Sequence, residues 1–128
     1  MRAACWRRGR EAIALAVGEA DNCSDCQFTN TIACQAAGWT PDQIVALRAG
    51  AQIAGEEKIT ALLAVARQAA GNAGDVDKDT WYHALQSGWT TEELAELFTH
   101  VIANIFTSYF NHYACPEPDT AVAPALTA

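Results

Sequence analysis

Apolar residues recur along this chain at helical spacing between short polar breaks, and no useful length shows the strict alternation of a half-buried strand. A first helix is predicted over about residues 10–20, around the apolar stretch 12–17. The segment "ADNC" then breaks it. A second helix covers about 23–37, with Asn22 as its expected N-cap and Gly38 as its stop. "TPDQIVALRAG" is a fully punctuated third helix: Thr40 caps it, Pro41 opens it, Gln43 closes a capping box and Gly50 ends it. A fourth helix over about 55–70, the loop "GNAGDV", and helices over about 77–87 and 90–113 complete the pattern. The expected fold class is all-α, a single-domain bundle of about six helices over residues 1–115. The remainder, 116–128, holds three of the four prolines and is expected to be an extended or disordered tail.

Two stretches echo one another. "GWTPDQIVAL" and "GWTTEELAEL" share a glycine stop, a tryptophan, a threonine cap and an acidic first turn, and Thr90 with Glu93 repeats the capping box. The simpler expectation is one helix-turn-helix solution reached twice, with Trp39 and Trp89 stapling the turns. A loose pseudo-repeat is the alternative.

The last helix bears on assembly. Its apolar residues Leu94, Leu97, Phe98, Val101, Ile102, Ile105, Phe106, Tyr109, Phe110 and Tyr113 form two ridges at i+4 spacing. Each such step drifts by about 40°, so the stripe winds round the helix. Burial inside the chain and contact of the aromatic half with another subunit are equally open.

Composition narrows the function classes. A chain of 128 residues, 51% hydrophobic with 8 Gly and 4 Pro, is long and apolar enough for one cored domain. The net charge of −7 argues against nucleic acid, whose phosphates need clustered Lys and Arg. The basic start followed by "AIALAVGEA" imitates a secretory signal, but its apolar part is short and bracketed by Glu11 and Glu19. No apolar run is of bilayer-spanning length. Five cysteines without a disulfide-framework spacing fit a reducing, cytoplasmic location.

Candidate chemistry lies in "NCSDCQFTNT". Cys23 and Cys26 form a C-x-x-C pair at a helix start, where unpaired N–H groups and the helix dipole favour a thiolate. Asp21 and Asp25 oppose that effect. Three readings are open, with the redox dithiol favoured. Zinc lacks a second ligand pair among Cys34, Cys115, His83, His100 and His112. Simple burial suits Cys5, Cys34 and Cys115 better than the pair. If the first two helices pack antiparallel, Glu11 approaches Cys26 and Asn30 as a proton acceptor, while Glu19 sits nearer the turn in solvent.

With these residues in view, "REAIALAVGEADNCSDCQFTNT" resembles the core of alkylhydroperoxidase D-like proteins of the carboxymuconolactone decarboxylase superfamily. Glu11, Cys23 and Cys26 fall on the first elements of that family's motif, and the similarity extends over residues 8–115. The resemblance implies an all-helical fold in homotrimers or hexamers, with no metal or cofactor. It implies that Cys26 attacks a small hydroperoxide, Cys23 resolves the product as a disulfide, Glu11 assists deprotonation, and a dithiol protein or small thiol restores the pair. Asn30 is the departure: the motif has histidine there, and asparagine can hydrogen-bond but not relay a proton. A lactone decarboxylase and a non-catalytic oligomer with a decayed relay are the alternatives. His112, in "FNHYA", is expected to pack or to lie at an interface.

Overall fold

A computed structural model describes residues 3–114, with side chains from Arg8 onward. The expected tail at 116–128, and Cys5 and Cys115, lie outside the residues whose side chains are described. Six helices follow one another: α1 (Ala3–Ala20), α2 (Ser24–Ala36), α3 (Pro41–Arg48), α4 (Glu57–Gly71), α5 (Lys78–Gln86) and α6 (Thr91–Ala114). Among the described residues there is no strand, so the all-α expectation holds.

The core lies between α1 and α4. Residues 12–17 are all buried, which explains why that stretch of α1 reads as apolar on every side. From α4, Ile59, Leu62, Leu63, Val65 and Ala66 meet it, with Ile44 and Leu47 from α3 and Leu94, Leu97 and Val101 from α6. Ala12, Ala14 and Ala16 on α1 and Ala66 on α4 keep these faces small, which suits close helix packing. A Cβ added at Gly9 would lie 3.9 Å from Ile59, and one at Gly18 would crowd the Cys26 Cβ at 3.0 Å.

Both capping boxes form as expected. Thr40 accepts from the Gln43 N–H at 3.2 Å and Thr90 from the Glu93 N–H at 3.1 Å, with the Gln43 and Glu93 side chains reaching back to the cap N–H groups. Gly38 and Gly88 stop the preceding helices at φ +92° and +104°, left-handed values that suit glycine.

The echo runs deeper than two similar turns. The Trp39 indole donates to the Arg8 carbonyl at 3.1 Å and the Trp89 indole to the Lys58 carbonyl at 2.7 Å, each reaching back 31 residues. In both cases the same basic residue lays its cation over the ring it anchors, at 4.0 Å for Arg8 and 4.5 Å for Lys58. The units α1–α2–α3 and α4–α5–α6 therefore share a common frame, and the pseudo-repeat displaces the simpler expectation. Each tryptophan staples its turn to the first helix of its own unit.

The units differ where they end. α3 stops after 8 residues, whereas its counterpart α6 continues for 24. The stripe starts at Phe98, the last residue of the shared length, and the extension carries the rest: Phe98, Ile102, Phe106, Tyr109, Phe110 and Tyr113 are all exposed, up to 72% for Phe106 and 88% for Tyr113. Of the two openings for this face, burial against the described part of the chain is not the one taken.

Candidate functional site

The connection between α1 and α2 builds the site. α1 closes with the Asp21 N–H on the Val17 carbonyl and the Cys23 N–H on the Gly18 carbonyl, both at 2.9 Å. Between them Asn22 takes a left-handed conformation at φ +52°, one of the few non-glycine residues that does so readily. Asn22 is thus the residue that ends α1, and the expectation that it caps α2 is corrected. The cap is Cys23, whose extended backbone turns the chain and whose sulfur accepts the Cys26 N–H at 3.3 Å.

Cys23 and Cys26 are paired as a disulfide, with Cα atoms 5.2 Å apart. Both are buried, but only Cys26 lines the adjoining pocket, of about 140 Å³. Ala14, Thr29 and Asn30 form one side of that pocket, and α6 supplies Asn104, Thr107, Ser108 and Asn111 on the other. Asp25 is its one charged lining residue. The Ser108 hydroxyl lies 3.5 Å from the Cys26 sulfur. The Asn111 amide donates toward both sulfurs, at 3.7 Å to Cys26 and 3.9 Å to Cys23.

Packing of α1 against α2 is antiparallel, with Gly18 against Cys26 and, a turn earlier on α1, Ala14 lining the pocket together with Asn30 of α2. That register carries Glu11 past the site. It lies about 10 Å along α1 from Gly18, at a rise of about 1.5 Å per residue. Its charge is felt instead by Cys34, two turns beyond Cys26. Glu11 does not line the pocket. Asn30 does, but hydrogen-bonds to neither sulfur. Glu19 is not simply solvated, since it holds a partly buried ion pair with Arg48 at 2.7 Å.

Ser108, Asn104 and Asn111 carry no expectation from the sequence. The signal for them is a polar line at i, i+4 and i+7 through an otherwise apolar helix. Asp21, weighed at first only as a charge that dampens the thiols, also belongs here. Burial raises its carboxyl above the ordinary range, while a hydrogen bond from Ser108 and the charge of His112 pull it back. One of its oxygens, Oδ2, is buried with no hydrogen-bond partner.

Cys34 is fully buried and free. Burial, reinforced by Glu11, pushes its thiol from 9.0 up to about 12. The folded chain thus keeps a proton that the unfolded chain releases from about pH 9. Stability is therefore unaffected by this group below about pH 9 and falls as pH rises from there through about 12. Urea unfolding between pH 8 and 11 should show a steeper loss in the wild type than in Cys34→Ala. Equal slopes would mean that the thiol is not held protonated.

Among the described residues no cluster of three or more His, Cys, Asp or Glu side chains could hold a metal ion, and no helix is long and apolar enough to cross a membrane. Compared with known proteins, the chain matches no family model, no curated protein and no solved structure.

Proposed function

We propose that the chain is a thiol-dependent oxidoreductase that reduces small hydroperoxides through the Cys23–Cys26 dithiol. One observation carries this reading: the two sulfurs are at disulfide distance, and one of them opens onto a small polar pocket. The Cys26 thiolate attacks the terminal oxygen of the hydroperoxide, the O–O bond breaks, and a sulfenic acid and an alcohol result. The Cys23 thiol then displaces water from that sulfenic acid, and the disulfide forms. An external dithiol, protein or small molecule, attacks Cys26 as the sulfur that faces the pocket. Cys23 leaves as a thiolate favoured by the Cys26 N–H and the Asn111 amide.

The resemblance to alkylhydroperoxidase D-like proteins supports the same chemistry and a cytoplasmic home. It also supports a homotrimer or hexamer, in which another subunit covers the exposed stripe on α6. Any part played by Glu11 would have to cross the turn of helix between it and Asn30. The lining of the pocket favours a neutral substrate, since it holds an aspartate and several amides and hydroxyls but no cation to pair with an anion such as a lactone carboxylate.

A second reading, a family member that binds without turnover, is favoured by Asn30 in place of the motif histidine. Thiol counting separates the two. Reduced protein given an alkyl hydroperoxide should lose two thiols per chain, and loss of none would end the oxidoreductase reading. If Asn30→His alone began turnover in an inert wild type, the decayed relay would be the better account.

A further inference from the structure

The start of α2 favours the sulfur that does not line the pocket. Cys23 caps the helix and accepts the Cys26 N–H at 3.3 Å, so the helix N-terminus acts on Cys23. Cys26 is the sulfur on the pocket wall, and its own N–H is taken by Cys23. The nearby carboxylates do not favour a Cys26 thiolate either. Asp25 stands on the pocket wall and Asp21 just past α1, and both oppose a negative sulfur, while the charge of His112 on α6 acts on Asp21.

Donors for Cys26 come from α6. Its sulfur has no hydrogen in the disulfide, so the Ser108 hydroxyl donates to it across 3.5 Å. The Asn111 amide, three residues on, donates toward Cys26 at 3.7 Å and Cys23 at 3.9 Å. Neighbouring polar side chains of this helix do otherwise. Asn104 and Thr107 turn back to the His100 and Ala103 carbonyls at 2.7 and 3.2 Å, a bond within their own helix. Ser108 and Asn111 instead cross to another element, and Ser108 does so from a position only 1% exposed. A disulfide sulfur is a weak acceptor, so these donors gain little while the pair is oxidised. A thiolate carries a full charge and takes strong bonds from the same groups. The arrangement is matched to the reduced, ionised state.

We propose that Ser108 and Asn111 hold Cys26 as a thiolate, which makes it the nucleophile of the pair in place of the helix-capping Cys23. For its purpose this rests on the oxidoreductase reading above. Cys26 loses its proton to solvent water, and the charge left on the sulfur is stabilised by the Ser108 O–H and the Asn111 N–H. Neither residue passes a proton on. Of the two sulfurs, Ser108 bonds only that of Cys26. Asn111 also reaches Cys23, the sulfur that must ionise when the disulfide is reopened.

Alkylation as a function of pH tests this. The reduced full-length chain is treated with iodoacetamide from about pH 5 to about pH 10, and the adduct on Cys26 is followed by mass spectrometry. The wild-type midpoint should lie below about 8.5, the ordinary cysteine value. Ser108→Ala and Asn111→Leu, each close in shape to the native residue, should raise it by about one unit, a loss of about tenfold in rate at neutral pH. The alkaline plateau should stay within a few-fold of wild type, because a fully ionised sulfur needs no help to ionise. A wild-type midpoint at or above about 8.5, or an unshifted midpoint in either variant, would overturn the proposal. So would a lowered plateau with the midpoint unchanged, since the residues would then only shape access to the sulfur. Tert-butyl hydroperoxide supplies the separate arm. A wild type with a low midpoint that loses no thiols to it would overturn hydroperoxide reduction and leave the thiolate donors standing.

Discussion

Cys26→Ser should remove hydroperoxide reduction altogether, a fall of at least about a thousandfold, while the chain still folds. A serine hydroxyl is scarcely ionised at neutral pH, so the pocket would hold no nucleophile even with Ser108 beside it. Serine is close to cysteine in shape, and the pair closes only a very short loop, so the change in stability should stay within about 2 kcal/mol. Cys23→Ser should behave differently. It keeps the sulfur that lines the pocket, so one oxidation still occurs, but with no resolving thiol it stops at the sulfenic acid. A dimedone adduct on Cys26 in Cys23→Ser, seen by mass spectrometry, would mark that arrest. A Cys26→Ser protein that turned over like wild type would reverse the roles of the two sulfurs.

Gly18→Val should damage stability and site together. A Cβ built on Gly18 already comes within 3.0 Å of the Cys26 Cβ and 3.6 Å of the Cys26 and Gln27 backbone. Alanine there gains about 1 kcal/mol of helix propensity, which offsets some of the crowding. Valine adds two methyl groups that have no free volume to enter, and overpacking of this kind costs about 1–3 kcal/mol. Pushing α2 off α1 also moves Cys26 relative to α6, and the 3.5 Å approach to Ser108 is the contact that suffers. Urea unfolding should show the loss of stability. Hydroperoxide reduction measured well below the unfolding midpoint should fall as well. Full activity in a destabilised variant would show that the α1–α2 spacing does not tune the dithiol.

Most of the fold is legible because its helices are punctuated. Thr40, Pro41, Gly38, Thr90 and Gly88 fix ends through local hydrogen bonds and backbone conformation, which depend on nearby residues only. The cysteine pair is legible for the same reason. What lies across the bundle is harder, because it depends on register. The antiparallel packing of α1 on α2 could be anticipated. The position of Glu11 could not, since one left-handed residue at Asn22 decides how far α2 slides along α1. On α6 the apolar ridges draw attention to the outward face. The polar line of Asn104, Ser108 and Asn111 becomes meaningful only when that helix is seen to run past Cys26. Recognition of the repeat was limited similarly: a tryptophan is visible in each sequence copy, but the carbonyl it finds 31 residues back is not.

The two units share a frame but not a connection. In the first, α1 gives way to α2 through Asp21, Asn22 and Cys23 alone. In the second, α4 and α5 are joined by the longer segment 72–77, with Ala73 and Val76 at the positions that correspond to Cys23 and Cys26. A helix turns by about 100° per residue, so the length of such a connection sets the angular phase of everything after it. One residue more between Asn22 and Cys23 would swing the face of α2 that bears Cys26 more than a quarter-turn away from α6. The same frame therefore sets two sulfurs beside α6 in one half and only Ala73 and Val76 at the matching places in the other, and the short corner of the first half fixes the angle at which its pair is presented.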